Sequence, residues 1–311
     1  MARLKNNHRR QLDLVTKSQR FQNGQASTGF TLIELMIVVG IIGILAALLL
    51  PAVERSRARG QSIACMNNHR QLLLAWILYS SDNNGWLAYN RGSSIWSPGS
   101  FAPTTDPNWV NNIMDWELST DNTNMAFPNN SLLGYYSSYS QSIFHCPSDH
   151  ALSTMQQGAG WFNRVRSISM NAMVGNPGAL LVSGNNVNSP TFEQFLNESD
   201  FKDTSSIYVF LDEHPDSIND GYFIAVPPNP TAEWIDLPGS YHNGGGSFSF
   251  ADGHTEIHRW KCASTIRPPL PGDAATPIKL HSNDLADYNW VIAHTSIATY
   301  SAGWSAAIAG L

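Results

Sequence analysis

A continuous apolar run near the N-terminus dominates the hydrophobic pattern of the chain. Residues 35–50 carry no polar side chain, and only Thr31 and Glu34 are polar between residues 30 and 53. A helix needs about 20 apolar residues to cross the hydrocarbon core of a bilayer. The pattern therefore predicts a transmembrane helix over residues 30–53, with one acidic residue near its start. A carboxylate inside a membrane is costly unless it is paired, so Glu34 is expected to have a partner.

A second apolar pattern, with a helical period, follows the first. The positions recur at spacings of three and four and include Cys65, His69, Leu72, Leu73, Trp76, Ile77 and Tyr79. Such spacing indicates one face of an amphipathic helix, so residues 54–82 are predicted to continue the helix. The polar segment 82–85 is predicted to end it. Pro51 lacks a backbone donor and is expected to loosen the helix locally. We expect His69 to be packed or capped rather than to bind a metal.

Beyond residue 82 the pattern changes to short apolar runs separated by turn residues. Such runs predict strands at residues 166–171, 206–211 and 222–226, with a short strand before a turn at Pro147 and Asp149. Residues 193–196 are predicted as a short helix, and residues 290–311 as a helix or strand that docks on the sheet. The sequence therefore predicts an α+β fold. In it, a long N-terminal helix packs on an antiparallel sheet head, residues 83–311, with long irregular loops.

Residues 241–260 give the clearest hairpin pattern in the chain. Asp252-Gly253 is a strong signal for a two-residue turn. With such a turn, Phe250 would lie opposite Thr255 and Phe248 opposite Ile257. The expected result is an apolar row on one side of the hairpin and a polar row on the other.

The charge distribution separates the N-terminal segment from the rest of the chain. The net charge is −6, but residues 1–29 hold six basic residues and one acidic residue. Without this segment, 12 basic and 23 acidic residues remain, a net charge of −11. An acidic protein of this kind is a poor partner for nucleic acid, and none is predicted. The basic segment 1–29 is interpreted as a leader peptide and is excluded from the fold.

The three cysteines limit the possible cross-links. They are Cys65, Cys146 and Cys262, and no CxxC pair is present, which excludes a zinc ribbon. An oxidising compartment would permit one disulfide and leave one thiol. We expect a Cys65–Cys146 disulfide, and the alternative is three small buried residues.

Acidic and histidine residues of the head suggest a possible cation site. Asp212, Glu213, His242, Asp252 and His254 could converge beside the sheet. Carboxylates would suit calcium, and the addition of histidine would suit zinc. The alternative is that Asp252 serves its turn while His242 hydrogen-bonds a neighbouring strand. No metal ligand is assigned, and calcium in the head stays open.

We expect no enzymatic activity from this chain. The sequence contains no H-E-x-x-H or G-x-S-x-G motif and no glycine-rich phosphate loop. Cys146 lies beside His145 and near His150, but adjacency in sequence does not create a nucleophile–base geometry. Three tryptophans of the irregular region 86–130 are interpreted as core anchors, and the alternative is a sugar-binding platform; they are Trp96, Trp109 and Trp116.

The hexapeptide Gly29-Phe30-Thr31-Leu32-Ile33-Glu34 and the apolar run after it resemble the cleavage and methylation motif of type IV pilins and type II secretion pseudopilins. The resemblance implies that a membrane peptidase cuts after Gly29 and methylates the new N-terminal Phe30. It implies that Glu34 then recruits and aligns subunits in a helical filament. The leader departs from the commonest pattern because it is long and its nearest basic residue is Arg20.

A second resemblance covers the head. His242, followed after nine residues by Asp252-Gly253, resembles the H-X9-DG domain found downstream of prepilin cleavage motifs. Cys146-Pro147-Ser148-Asp149 and Leu211-Asp212-Glu213 resemble segments that recur in the same family. This resemblance implies a class of protein and its cellular location more than a mechanism.

Two functions follow from these resemblances. The first is a structural subunit of a type IV pilus or a type II secretion pseudopilus. Its partners would be prepilin peptidase, other subunits, the inner-membrane assembly platform and membrane lipid. The alternative is a membrane-anchored extracytoplasmic protein that binds glycan, calcium or a secreted substrate without polymerising.

The expected location is a single-pass protein of the bacterial inner membrane, with a cytoplasmic N-terminus and a periplasmic head, or a cell-surface filament. Basic residues on the two sides of the span are nearly balanced, so the positive-inside rule does not decide the orientation. The orientation rests on the resemblance.

Overall fold

The computed structural model of the protein describes residues 29–92, 108–226, 232–272 and 276–299. The predicted leader up to residue 28, Trp96 and the C-terminal residues 300–311 lie outside the described residues. The chain divides into two compact units, the first ending at Pro51 and the second beginning at Ala52.

Helix α1 runs from Leu32 to Asp82 and contains Pro51. The helix is continuous at this proline, which removes one backbone donor from the ladder, and the expected local loosening stays a prediction. An 18-residue window of α1 has a mean hydropathy of 2.8, and none of that window is buried. By length and composition, α1 is the one helix among the described residues that could cross a membrane.

The part of α1 in the second unit buries one face, as the sequence predicted. The buried residues are Cys65, Asn68, His69, Leu72, Leu73, Ala75, Trp76 and Ser80. The helix ends at Asp82, as the polar segment 82–85 predicted. The N–H of Gly85 donates to the carbonyl of Ser80 at 2.8 Å and closes the last turn.

Within its described residues, the head contains one five-stranded sheet, two short strand pairs and three further helices. The strands are β1 (Ile168–Asn171), β2 (Leu181–Val182), β3 (Asn185–Asn186), β4 (Tyr208–Asp212), β5 (Tyr222–Phe223), β6 (Glu233–Trp234), β7 (Gly245–Phe250), β8 (Thr255–Arg259) and β9 (Ile278–Lys279). The helices are α2 (Ala126–Asn129), α3 (Thr154–Gly158) and α4 (Ala286–Thr295), and 3₁₀ turns span Thr120–Asn122, Gln141–Phe144, Gly178–Leu180 and Glu198–Asp200.

The main sheet has the strand order β5-β1-β4-β7-β8. Three of its four pairings are antiparallel, and the β1–β5 pairing is parallel. Consecutive side chains of a strand point to opposite faces, so the sheet has two buried faces. One face packs on α1 through a cluster that includes Leu72, Trp76 and Phe210. A second cluster, which includes Leu211 and Tyr288, packs against α4. The predicted α+β architecture of a long N-terminal helix and a mostly antiparallel sheet is confirmed.

Four element predictions need correction. Residues 193–196 form isolated bridges instead of a helix, since Phe195 pairs with Val174. The helical turn begins at Glu198 instead, because Asn197 and Asp200 form a capping box there. The predicted strand before Pro147 is the 3₁₀ turn Gln141–Phe144. The predicted strand 222–226 is shortened to β5, and helix α4 begins four residues before the predicted C-terminal element.

The hairpin β7–β8 is confirmed, but its register is wrong by one residue. Ser249 lies opposite Thr255, and Phe248 lies opposite Glu256. The loop has three residues, because Phe250 N–H donates to His254 O at 3.0 Å. Gly253 has a φ of +102°, as the last residue of such loops often requires. The shift places Ile257 on the same face as Ser247 and away from the phenylalanines.

Candidate functional site

The segment before α1 is exposed and lies outside the helix. Gly29 and Phe30 are exposed, with 70% of Phe30 accessible, and neither has regular secondary structure. The peptide bond between them therefore lies in an exposed segment outside any helix.

Thr31 and Glu34 form a capping box at the start of α1. A Glu34 carboxylate oxygen accepts hydrogen bonds from the Thr31 N–H at 2.9 Å and the Thr31 hydroxyl at 2.7 Å. The Glu34 N–H donates to the Thr31 hydroxyl oxygen at 3.3 Å. Two N–H groups that lack intrahelical partners are thereby satisfied. Glu34 thus has a polar partner in the uncut chain, which the sequence analysis did not identify.

The head holds a second candidate site, a buried cluster of four metal-ligating side chains. Cys65 comes from α1, Cys146 from the turn after Phe144, Asp212 from the end of β4 and His242 from the turn before β7. One ligand atom from each residue lies within 4.8 Å of all the others, and all four residues are buried. We call these four residues the buried cluster.

Asp212 is the centre of the buried cluster. Its carboxylate lies 3.3 Å from Cys65 Sγ and 3.1 Å from His69 Nε2. It also accepts the Ser247 N–H at 2.9 Å and lies 3.4 Å from His242 Nε2. Burial alone would raise the pKa of Asp212, but the charges and hydrogen bonds of His69 and His242 hold it well below its usual range. Asp212 is therefore a carboxylate with several donors around it.

A hydrogen bond at Nδ1 decides which ring nitrogen of His242 faces the buried cluster. The Ser62 hydroxyl donates to Ala58 O at 2.9 Å, so its oxygen accepts from His242 Nδ1, which lies 3.2 Å away. Nε2 then points into the cluster, 3.4 Å from Cys146 Sγ. Burial opposes the charged ring, but hydrogen bonds to Asp212 and Cys146 raise the pKa of His242 to about 10.

The pKa values of the two thiols of the buried cluster are shifted in opposite directions. Burial, with the nearby Cys146 and Asp212, raises the pKa of Cys65 well above its usual value. Burial also opposes ionisation of Cys146, but hydrogen bonds from Cys65 and His242 lower its pKa. The predicted Cys65–Cys146 disulfide is wrong for this structure, because both are free thiols and Cys65 is directed at the Asp212 carboxylate. The sequence nevertheless predicted the correct pair of neighbours.

The five acidic and histidine residues considered for a cation site do not all converge. Of the five, Asp212 and His242 meet in the buried cluster. Glu213 points away and bonds the hydroxyls of Ser169 and Ser217, and burial raises the pKa of Glu213 to about 7. Side chains that follow each other in a strand face opposite ways, which separates Glu213 from Asp212.

The remaining two residues of that set lie in the hairpin loop. Asp252 accepts the His254 N–H at 3.0 Å and lies 2.6 Å from the His254 ring nitrogen Nδ1. Asp252 therefore serves its turn, as the alternative reading expected. His242 and Asp252-Gly253 of the H-X9-DG spacing thus lie in separate places, the buried cluster and the β7–β8 loop.

The segment 146–149 forms the predicted turn. The Asp149 N–H donates to Cys146 O at 2.9 Å, and Pro147 O accepts from the Gln61 side chain of α1 at 3.1 Å. The Cys146 N–H donates to the Ser167 hydroxyl at 2.6 Å. These bonds hold the turn against α1 and against the residue that precedes β1, so the thiol position depends on backbone contacts as well as on packing.

Two of the three predicted tryptophan anchors lie within the described residues. Trp109 is fully buried, and its indole N–H donates to Gly221 O at 3.2 Å. The Trp116 ring lies 4.3 Å from the guanidinium carbon of Arg164. The core-anchor interpretation is confirmed for Trp109.

Sequence reasoning did not find the residues that surround the buried cluster. Ser62 contacts His242, His69 contacts Asp212, and Ser247 contacts both Asp212 and Cys65. A signal was present on α1, because Ser62, Cys65 and His69 are spaced by three and four residues and so share one face. Nothing in the local sequence links that face to Asp212.

The comparisons with known proteins support the N-terminal resemblance. Residues 25–50 match the prokaryotic N-terminal methylation motif. The chain is 41% identical over 90 residues to fimbrial protein EcpC of Eikenella corrodens, covering 29% of this chain and 55% of that protein. It is 37% identical over 105 residues to type IV major fimbrial protein FimA of Dichelobacter nodosus, covering 31% of this chain and 66% of that protein.

A third relative is type IV major pilin protein PilE1 of Neisseria gonorrhoeae, 40% identical over 72 residues, which are 23% of this chain and 44% of that protein. The matches thus cover less than two thirds of each of these relatives. No solved structure matches the chain significantly. The chain therefore carries a prokaryotic N-terminal methylation motif and is similar, over less than a third of its length, to fimbrial proteins and type IV pilins.

Proposed function

We propose that this protein is a structural, non-enzymatic subunit of the type IV pilin kind. It is cut after Gly29, methylated on Phe30 and built into a pilus or pseudopilus. The observation that carries the proposal is the methylation motif, which lies on an exposed, non-helical segment directly before a helix long enough to cross a membrane. Similarity to fimbrial proteins and pilins supports it.

Glu34 is proposed as the assembly residue. Cleavage after Gly29 creates a free amine on Phe30, only four residues from the Glu34 carboxylate. In lipid, each of these charges alone would be costly, and pairing them reduces that cost. The Thr31 bonds hold the carboxylate at the first turn of α1, where it can meet its own amine or that of a neighbouring subunit.

The proposed partners and location follow from this role. Prepilin peptidase would process the chain, and the inner-membrane assembly platform and other subunits would then receive it. Before assembly, α1 would hold the protein in the bacterial inner membrane with a cytoplasmic N-terminus and a periplasmic head. The H-X9-DG resemblance remains part of the proposal, with His242 in the buried cluster and Asp252 in the hairpin loop.

The test combines intact mass spectrometry with analysis of sheared surface filaments. We expect wild-type protein to begin with N-methyl Phe30 and to occur in the filament fraction. Glu34→Ala should be cleaved normally and be absent from filaments. Glu54→Gln, a change of the exposed glutamate at the start of the second unit, is the matched control and should assemble normally.

Two results would contradict the proposal. Normal incorporation of Glu34→Ala would remove the role of that carboxylate. A wild-type chain that still carries residues 1–29 would show that the motif is not used. That second result would favour the membrane-anchored protein that binds glycan, calcium or a secreted substrate without polymerising.

A further inference from the structure

We propose that the buried cluster of Cys65, Cys146, Asp212 and His242 is a structural zinc site that fastens the second half of α1 to the sheet. The inference is independent of processing and assembly, because it rests on the second unit alone. It assigns one role to four side chains that come from four separate segments.

The distances between the ligand atoms fit a tetrahedral site. With bonds to zinc of about 2.0–2.3 Å, ligand atoms at the corners of a tetrahedron lie about 3.3–3.8 Å apart. Cys65 Sγ lies 3.3 Å from Asp212 Oδ1, and His242 Nε2 lies 3.4 Å from both Cys146 Sγ and Asp212 Oδ2. Three of the distances thus match the edge of a zinc tetrahedron, and all the ligand atoms lie within 4.8 Å of one another, so binding would draw the more distant ones closer.

The donor set selects the class of metal. Two sulfurs, one imidazole nitrogen and one carboxylate oxygen suit zinc, which accepts soft and intermediate ligands in a closed four-ligand site. Calcium requires six to eight oxygen ligands, and the cluster offers one carboxylate. Zinc binds both sulfurs as thiolates and His242 through a neutral imidazole, so binding releases protons and the affinity for zinc should fall as the pH falls.

The groups around the cluster are those that orient metal ligands. Ser62 accepts the His242 Nδ1 proton, which leaves the Nε2 lone pair for a metal once its proton is lost. The Asp212 carboxylate is held by His69 and by the Ser247 N–H. Since Ser62 and His69 lie on α1 and Ser247 lies on β7, these contacts also join the helix to the sheet.

The buried cluster borders a cavity. His242 and Ser62 line this cavity of about 580 Å³, which also has Arg55, Arg59 and Ile257 in its wall. His242 is therefore the member of the buried cluster that faces the cavity. The other three ligands lie behind it in the core.

The experiment measures metal in the full-length protein purified from membranes in detergent, after growth with zinc. We expect one zinc per chain by elemental mass spectrometry. Zinc X-ray absorption should show two sulfurs at about 2.3 Å and two lighter ligands at about 2.0–2.1 Å. Cys65→Ser and Cys146→Ser should lose the stoichiometric zinc. Cys262→Ser, which changes the third free cysteine, is the matched control and should retain it.

A milder variant keeps the proposal testable if the cysteine variants fail to fold. Ser62→Ala removes only the acceptor of the His242 proton and should weaken zinc binding by about 10- to 100-fold in competition with a chelator. Ser62→Thr keeps the hydroxyl and should bind zinc like the wild type. A purely structural serine would change the melting temperature without changing the affinity for zinc.

Several results would overturn the proposal. One is wild-type protein that contains no zinc and shows a Cys65–Cys146 disulfide in peptide mapping without reductant. Another is metal-free protein with both thiols free. A third is stoichiometric zinc in folded Cys65→Ser, which would place the metal elsewhere.

Discussion

Replacing Leu72 by alanine tests whether the packing of α1 on the sheet stabilises the head. Leu72 is 0% exposed and belongs to the cluster between α1 and β4. The change removes three carbon groups, each worth about 0.8 kcal/mol when buried, or about 2.4 kcal/mol in total. The cavity left behind adds to this loss, so we expect the free energy of unfolding to fall by about 3–5 kcal/mol.

Leu74→Ala is the matched control, because it makes the same chemical change two residues away on the same helix. Leu74 is 51% exposed, and its truncation should change the free energy of unfolding by less than about 0.5 kcal/mol. For a unit of this size, 1 kcal/mol corresponds to about 2–4 °C in melting temperature. We therefore expect a drop of roughly 6–20 °C for Leu72→Ala and less than about 2 °C for Leu74→Ala.

The assay is urea and thermal unfolding of the purified protein in detergent, followed by tryptophan fluorescence at equal metal content. The urea slope should be unchanged, so that the shift in midpoint reports stability. Equal effects of the two substitutions, or a loss below about 1 kcal/mol for Leu72→Ala, would refute the packing argument.

Two further predictions concern the sheet and a loop. Burial lowers the pKa of His258, which stacks on Trp290, to about 4. Between about pH 6.5 and pH 4 the unfolded chain therefore binds more protons at this histidine than the folded chain does, so the free energy of unfolding should fall as the pH falls through this range. His258→Phe should reduce that loss, measured as melting temperature against pH. Gly175→Ala should destabilise the head by at least about 2 kcal/mol in urea unfolding, because Gly175 has a φ of +86° and an added Cβ would lie 2.1 Å from Ala88 O.

The controls for both predictions are also single changes. His281→Phe alters an exposed histidine and should leave the pH profile unchanged. An unaltered profile in His258→Phe would contradict the role of burial. Gly158→Ala lies in α3, where an added Cβ meets nothing within 4 Å, and should be neutral or stabilising by up to about 1 kcal/mol. A Gly175→Ala protein as stable as this control would contradict the steric argument.

The periodic patterns of apolar residues in the sequence predicted the larger elements well. α1, β1, β4 and the β7–β8 hairpin were all expected, because burial on one face leaves a regular mark on the sequence. The hairpin register was wrong because Asp-Gly occurs both in two-residue turns and at the end of three-residue loops. That single-residue difference decides which face Ile257 occupies.

The two candidate sites differ in how much of each could be predicted from the sequence. The N-terminal segment is contiguous, so its residues could be identified by order alone. The buried cluster joins residues far apart in sequence, and only the strand order and register bring Asp212 opposite the helix. The sequence suggested Cys65 with Cys146 as one pair, and Asp212 with His242 as two members of a separate set of five. It contained no information that the two pairs meet.

The wide spacing of the buried cluster also has a kinetic consequence. Cys65 and Asp212 are 147 residues apart, and Ser62 and His242 are 180 apart. A helix forms from local bonds in about a microsecond, whereas contacts between distant segments slow folding by orders of magnitude. Closing so long a loop costs little extra at equilibrium, since each doubling of length adds only about 0.6 kcal/mol. The four ligands therefore meet late in folding, and a chain that ends before His242 would have the helix but not the site to which it attaches.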